Sequence, residues 1–380
     1  MTARRTSAPG PLSASRRGGT VALVAMLACC VAGPARAQDS QFGIKGLGTP
    51  GRMEGVRVRS TAGAFAPFDP ISALADAALS DVGRLTAWTL SSTSYRHVSL
   101  GGADATLRTT RFPQMGLSGP IGHGIMLGGG FATYLDRSYQ LATQDTVLVR
   151  GVPQPVTDLL SSDGGVVDLR VAASARAWGR LWLGLGLHLL TGSTRLRAVR
   201  EFTNTTYSTA AQTEDVNYDG AGISASAIGL LGPTLRVAAF ARSDSRLRAR
   251  LAGAEIARND LPVTVGGAVG WQPGSATRVA ATVVYQSWGD AGQYAHNTTN
   301  WAVGAELGNQ VPLRLGARGG RMPFSPAGAA PREWGASVGT GLRLAGGRGL
   351  IDMGLEHLQR RAVGLTERVW SFLLGITVRP

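Results

Sequence analysis

From Asn300 to Pro380 the chain alternates apolar and polar side chains in five consecutive segments. Trp301, Val303, Ala305 and Leu307 oppose Ala302, Gly304 and Glu306, and Leu313, Leu315 and Ala317 oppose Arg314, Gly316 and Arg318. Trp334, Ala336, Val338, Leu342 and Leu344 oppose Gly335, Ser337, Gly341 and Arg343. Ile351, Met353 and Leu355 then oppose Asp352, Gly354 and Glu356, and Trp370, Phe372, Leu374, Ile376 and Val378 oppose Ser371, Gly375, Thr377 and Arg379. A period of two is the signature of a strand with two different faces. No charge falls on the first-named face of any segment, so that face meets either a protein core or lipid.

Composition narrows the choice. Glycine, at 53 of 380 residues, is about twice its usual share, and charged residues make up only 16%. No run reaches the roughly 20 apolar residues of a membrane helix, except near the N-terminus. There Arg4, Arg5, Arg16 and Arg17 precede the apolar stretch Val21–Val31, and Ala35-Arg36-Ala37 follows. This pattern predicts a secretory signal peptide over 1–37, cut before Gln38. Both cysteines, Cys29 and Cys30, fall within it; lipoprotein cleavage at one of them is the second reading. The exported chain then lacks disulfides, so a core or a bilayer must hold it. Its charge is +9, from 33 basic and 24 acidic residues. The basic residues are scattered along alternating segments, a pattern with no footprint for nucleic acid.

Residues 38–84 are glycine-rich, with a helical-looking stretch at Ala73–Leu79. From Leu85 to the end, fourteen alternating segments follow: 85–100, 104–118, 123–136, 165–177, 181–198, 220–230, 234–251, 261–272, 276–288, 298–308, 311–321, 333–345, 349–360 and 367–379. Their connections sort into short turns on one side and mostly longer links on the other, including Arg137–Gly164 and Val199–Asp219; only Gly101–Ala103 departs from this. That asymmetry predicts an all-β fold, a transmembrane antiparallel β-barrel of about fourteen strands spanning 85–380, with both termini on the periplasmic side of a bacterial outer membrane. Trp288, Trp301, Trp334 and Trp370 fall near the outer strand ends, and Trp178, Trp182 and Trp271 near the inner ends. They are expected to form two aromatic girdles.

Two regions resemble the FadL-type outer-membrane proteins, a family of hydrophobic-compound transporters that includes PorV-like barrels. Ser60-Thr61-Ala62-Gly63-Ala64-Phe65, then Asp69-Pro70 and Ser72, is similar to the family's Gly-Gly-Ala-Phe…Asp-Pro-Ser segment. Trp301–Glu306, Leu313–Gly316, Val338–Leu342 and Ile351-Asp352 follow the family's order of strand motifs. Asp76-Ala77-Ala78 departs from the family's Asn-Pro-Ala, and the chain ends Val378-Arg379-Pro380 without a terminal aromatic residue. The resemblance implies that residues 38–84 fold into the lumen as a hatch carrying Phe65, Asp69, Pro70, Ser72, Asp76, Ala77 and Ala78. It also implies that hydrophobic molecules pass from the lumen to a lateral opening in the wall.

The charges on the inward face are expected to be Asp168, Arg170, Arg176, Arg236, Arg242, Glu306, Arg314, Arg318, Arg343, Asp352 and Glu356. Glu306 with Arg314, and Arg343 with Asp352, lie on neighbouring strands and are predicted to pair. Such charges solvate a polar lumen; the arginines would also draw an amphipathic carboxylate. Asp215-x-Asn217-x-Asp219-Gly220 opens like a calcium loop, but Ser226 replaces the glutamate needed at its twelfth position, so a turn leading into a strand is expected. The five histidines lack metal-ligand spacing, and no Gly-x-Ser-x-Gly elbow nominates a Ser–His pair. The chain reads as a non-enzyme without cofactor or metal. Asn204-Thr205-Thr206 and Asn297-Thr298-Thr299 match glycan acceptors but read as polar loop residues. The expected function is passive uptake of hydrophobic or amphipathic, fatty-acid-like small molecules by a monomer embedded in lipid. The alternative is a non-transporting barrel that docks a protein partner through its extracellular loops.

Overall fold

The alternating segments form antiparallel strands. In chain order these are β1 (Thr86–Leu100), β2 (Ala103–Gly122), β3 (Ile125–Asp136), β4 (Val152–Trp178), β5 (Leu181–Phe202), β6 (Ala210–Leu230) and β7 (Leu235–Asp244). They continue as β8 (Val263–Gly274), β9 (Thr277–Gln286), β10 (Thr298–Leu307), β11 (Leu313–Arg321), β12 (Arg332–Leu344), β13 (Gly349–Ala362) and β14 (Leu365–Val378). Each pairs with its successor, and β14 returns to β1 from Leu365↔Leu100 to Val378↔Ala87. The chain is a closed antiparallel barrel of fourteen strands, the architecture by which strands pair their backbone across hydrocarbon. This computed structural model describes residues 40–100, 103–325 and 328–380. The expected signal peptide, 1–37, lies outside the described residues, as do Gln38 and Asp39.

The register puts the uncharged faces outside. On β5, Leu183, Leu185, Leu187 and Leu189 are exposed, with Leu187 at 67%, while Gly184, Gly186, His188 and Leu190 are buried inside. Leu187→Arg on that outer face is expected to weaken folding into vesicles by about 2–4 kcal/mol. A urea titration of refolding in phospholipid vesicles measures this, and an unchanged midpoint would count against a lipid contact at that face.

Trp271, Trp301, Trp334 and Trp370 stand on the outside, each about half exposed. Trp288 does not. It is 1% exposed, and it lies in a 3-10 turn, Trp288–Ala291, against Phe324 at 5.3 Å between ring centroids. β9 ends at Gln286, two residues before the predicted end, and the chain turns inward before reaching the lipid face. Trp182 likewise points inside, against the cluster around Ala77 and Ala78.

Three predicted links contain strand instead; in one of them, 252–260, Ala254–Asn259 pairs with Leu247–Leu251. Tyr139–Val149 pairs with the first half of β4, and the β4–β5 ladder runs on to Val156↔Phe202. Cross-strand ion pairs favour the extension: Arg200 meets Asp158 at 2.7 Å, and Arg195 meets Asp215 at 2.9 Å. Asp215–Gly220 therefore sits within β6 and not in a turn, with Asp219 held by Arg248 at 2.6 Å and by Arg250 at 3.3 Å.

Residues 40–84 have little regular structure: a one-turn helix Val56–Arg59, 3-10 turns Gln41–Gly43, Ala66–Phe68 and Asp76–Asp81, and a two-residue strand Thr49–Pro50. The predicted helix at 73–79 is thus a later 3-10 turn. This segment packs among inward side chains of the strands. Val58, Ala64, Phe65, Phe68, Ala77 and Ala78 form one apolar cluster with Ile228, Ala238, Ala268, Ala280 and Ala302. Glycines on the strands let its backbone come close. A Cβ on Gly304 would sit 2.7 Å from the Thr61 carbonyl oxygen, and one on Gly316 or Gly339 would collide with Thr61 or Ser60. Gly316→Leu is expected to push Ser60–Thr61 away. Faster reaction of a cysteine placed at Thr61 with a water-soluble maleimide reports the shift, and an unchanged rate argues against tight contact.

Candidate functional site: the lumen and the β2–β3 seam

Three charge networks tie the N-terminal segment to the inner strand faces. In the first, Glu356 on β13 receives Arg52 and Arg59, each at 2.5 Å. Arg318 pairs with Glu333, which also takes Arg360 at 2.8 Å, and Arg360 reaches Glu367 at 2.9 Å. In the second, Glu306 accepts Arg57 and Arg314 at 2.9 Å each, and Arg278 as well. Arg57 also reaches Asp69 at 3.3 Å. Burial raises the Asp69 carboxyl above the usual carboxylate range, and Arg57 opposes that effect. In the third, Asp76 lies 2.6 Å from Arg170, whose guanidinium also donates to the Ser72 carbonyl at 2.9 Å. The Ala77 amide donates to Ser226 Oγ at 2.8 Å.

The pairing Glu306–Arg314 occurs as the sequence predicts. Arg343–Asp352 does not: Asp352 pairs with Arg314 at 2.6 Å, while Arg343 is exposed. The ladder explains this, because Arg343 lies opposite Leu350 and Gly341 lies opposite Asp352. Arg236 pairs with Asp81 at 3.1 Å. Arg176 is exposed at its strand end, where it bonds the Gly179 carbonyl. Arg242 pairs with Asp168 at 2.6 Å and with Asp244 at 2.9 Å.

Cavities lie at both ends. Toward the strand ends joined by short turns, about 550 Å³ is bounded by Phe68, Pro70, Trp88, Trp271, Arg343 and Arg379 among others. Toward the strand ends joined by the long links, about 390 Å³ is lined mainly by Leu47, Leu196, Val216, Tyr218, Ile256 and Phe324. Lys45 and Arg137 also border it, with Arg137 over the Tyr218 ring at 5.2 Å.

One stretch of wall lacks its ladder. β2 pairs with β3 only from Gln114↔Ala132 to Gly122↔Ile125. Above that point, residues 103–113 of β2 pair with β1 alone, and the register shifts where Phe112 and Pro113 are inserted. Pro113 has no N–H to donate, so a bulge is where the strand tolerates it. The upper end of β3 pairs instead with the N-terminal segment, through Thr49↔Asp136 and Pro50↔Leu135. The Gly51 amide adds a bond to the Tyr134 carbonyl at 2.8 Å. Across the gap, Arg111 meets Asp136 at 2.8 Å and Ser138 Oγ at 3.0 Å. A cavity of about 130 Å³ lies behind it, bordered by Pro50, Arg52, Arg96, Pro113 and Thr133.

No protein-family model matches the chain. No curated protein matches it in sequence. Solved structures do match. A FadL homologue of Pseudomonas aeruginosa superposes with a TM-score of 0.64 at 13% identity, covering 87% of this chain and 99% of that one. The toluene transporter TodX of P. putida gives 0.59 at 14%, covering 87% and 99%. The CymD monoaromatic hydrocarbon channel gives 0.57 at 11%, covering 88% and 98%.

The fold is that of a FadL-like barrel.

Within the FadL-like barrel, sequence reasoning missed the partners on the N-terminal segment. Nothing in the local spacing of Arg52, Arg57 and Arg59 marks them as counter-ions for Glu306 and Glu356. It also missed a hydrogen bond between His188 and Ser224, residues 36 positions apart on β5 and β6. Alternation alone places both on inner faces, but only the register shows them touching.

Proposed function

We propose that this FadL-like barrel takes up hydrophobic or amphipathic small molecules passively across the bacterial outer membrane and releases them sideways into the bilayer. Three features support this. The outer cavity offers apolar side chains for capture, with Lys45 and Arg137 at its border for an anionic head group. Residues 38–84 act as the hatch, held to the wall by paired charges and by the short pairing of Thr49–Pro50 with β3. The β2–β3 seam is the exit. It is the observation that carries the proposal, because its closure depends on Thr49–Gly51 and on the Arg111–Asp136 pair instead of a continuous ladder. Shifting the N-terminal segment would free the upper end of β3 while leaving the rest of the barrel paired.

Full-length protein reconstituted in vesicles should pass a monoaromatic hydrocarbon or a fatty acid faster than protein-free vesicles do, and should exclude a monosaccharide. Equal passage of the apolar solute and the sugar would mean an open pore and would refute the reading.

A further inference from the structure

Three inward side chains on consecutive strands form one hydrogen-bonded row. His188 Nδ1 on β5 lies 3.0 and 2.9 Å from the two carboxylate oxygens of Asp168 on β4. Its Nε2 lies 2.9 Å from Ser224 Oγ on β6. All three residues are buried. Arg242 Nη1 donates to Asp168 Oδ2 at 2.6 Å, which pins the carboxylate. The far end of the row is closed by the N-terminal segment, where Ser224 Oγ donates to Asp76 Oδ2 at 2.5 Å. The other Asp76 oxygen lies 2.6 Å from Arg170 Nη2.

We propose that Ser224, His188 and Asp168 form a latent acyl-transfer site for esters of hydrophobic acids, and that Asp76 masks it. The order carboxylate, imidazole, hydroxyl is the arrangement in which a histidine accepts a serine proton while an acid holds its tautomer. Asp76 stands where a substrate carbonyl would stand. One of its oxygens is on the serine hydroxyl, and the other is against a guanidinium able to stabilise an oxyanion. The wall is cut back to admit a planar carboxyl group there, since a Cβ on Gly186 would lie 2.9 Å from Asp76 Oδ2 and 3.0 Å from Oδ1. While Asp76 is in place, the Ser224 proton points to it and not to His188. Its withdrawal lets that proton turn to Nε2.

The reaction is then balanced without further reagents. Ser224 Oγ bonds to the ester carbonyl carbon, its proton passes to His188 Nε2, and the carbonyl oxygen becomes an oxyanion beside Arg170. The carbon–oxygen bond to the alcohol breaks, and the alcohol leaves with the proton from His188. Water repeats the sequence on the acyl-serine, giving the acid and the free hydroxyl. Asp168 is a positioning residue. The choice of ester rests on the proposed admission of hydrophobic molecules to the lumen.

The test uses the full chain in detergent, treated with an alkyl fluorophosphonate and read by intact mass and peptide mapping. Asp76→Ala removes the mask. Gly184→Leu is a second route, because a Cβ at that position runs into the Asp76–Ala77 backbone. Folding is checked by heat-modifiable migration in gels. Whichever variant folds should acquire an adduct on Ser224 at least about 100-fold faster than the unaltered chain, the lower end of general-base assistance. Adding His188→Gln should abolish that gain, and Ser224→Ala should remove the adduct. No adduct in any folded unmasked variant, or labelling that survives His188→Gln, would overturn the proposal. Labelling in detergent requires no passage across a bilayer. A labelled protein that fails the vesicle assay therefore sinks the transport reading alone, and normal uptake without an adduct sinks this one alone.

Discussion

Replacing Glu356 with alanine is expected to unseat the N-terminal segment from the barrel while leaving the barrel folded. Glu356 is 1% exposed and accepts both Arg52 and Arg59. Removing it strands two guanidiniums without their main counter-charge. Breaking a buried pair in this way costs roughly 3–5 kcal/mol, more than an exposed ion pair returns. The fourteen-strand ladder does not depend on it, because β13 keeps its backbone bonds to β12 and β14. The expected result is rapid tryptic cleavage at Arg52, Arg57 or Arg59 in a protein whose gel migration stays heat-modifiable. Glu306→Ala should act in the same direction, since it frees Arg57 together with Arg278 and Arg314. Protease resistance equal to the unaltered chain in both variants would mean that apolar packing around Phe65 and Phe68, and not charge, holds the segment.

Locking the β2–β3 seam is expected to stop release of apolar solutes. Arg111 and Asp136 face each other across the unpaired stretch, so Arg111→Cys with Asp136→Cys places two thiols where the ion pair stands. The oxidised protein should pass the hydrocarbon no faster than protein-free vesicles, and a reductant should restore the rate. A cysteine pair across the continuous β10–β11 ladder, at Ala305 and Leu315 on the outer face, serves as the control for cross-linking itself. Unimpaired uptake with the seam covalently closed would place the exit elsewhere.

The barrel was legible in the sequence because a bilayer imposes a rule on every strand. Lipid forbids charge on one face, and alternation then assigns the other; the fourteen segments appear as barrel strands in order, except that 234–251 breaks after Asp244 and resumes as a separate strand, Leu247–Leu251. The errors came where that rule stops. Trp288 lies just past the end of β9, where no bilayer constraint continues the alternation, and it turns into the core. The segments 137–164 and 199–219 lie beyond the predicted spans, where charges such as Asp158, Arg195 and Arg200 are tolerated on strands and give no alternating apolar signal. Neighbouring strands suggest Arg343 for Asp352, yet the ladder puts Gly341 opposite Asp352, whose carboxylate pairs with Arg314.

The sequence by itself determined the strand count of the barrel and the lipid-facing side, since each follows from a local period repeated under one solvent constraint. Only the tertiary structure decided what meets inside the lumen: Glu356 with Arg52 and Arg59, the seam where Thr49–Pro50 replaces β2 beside β3, and the Asp168–His188–Ser224 row masked by Asp76. Those contacts join residues from about twenty to about three hundred positions apart. Hydrogen bonds and ion pairs act over a few ångströms of space, and nothing in the spacing of residues along the chain encodes that distance until the barrel has closed.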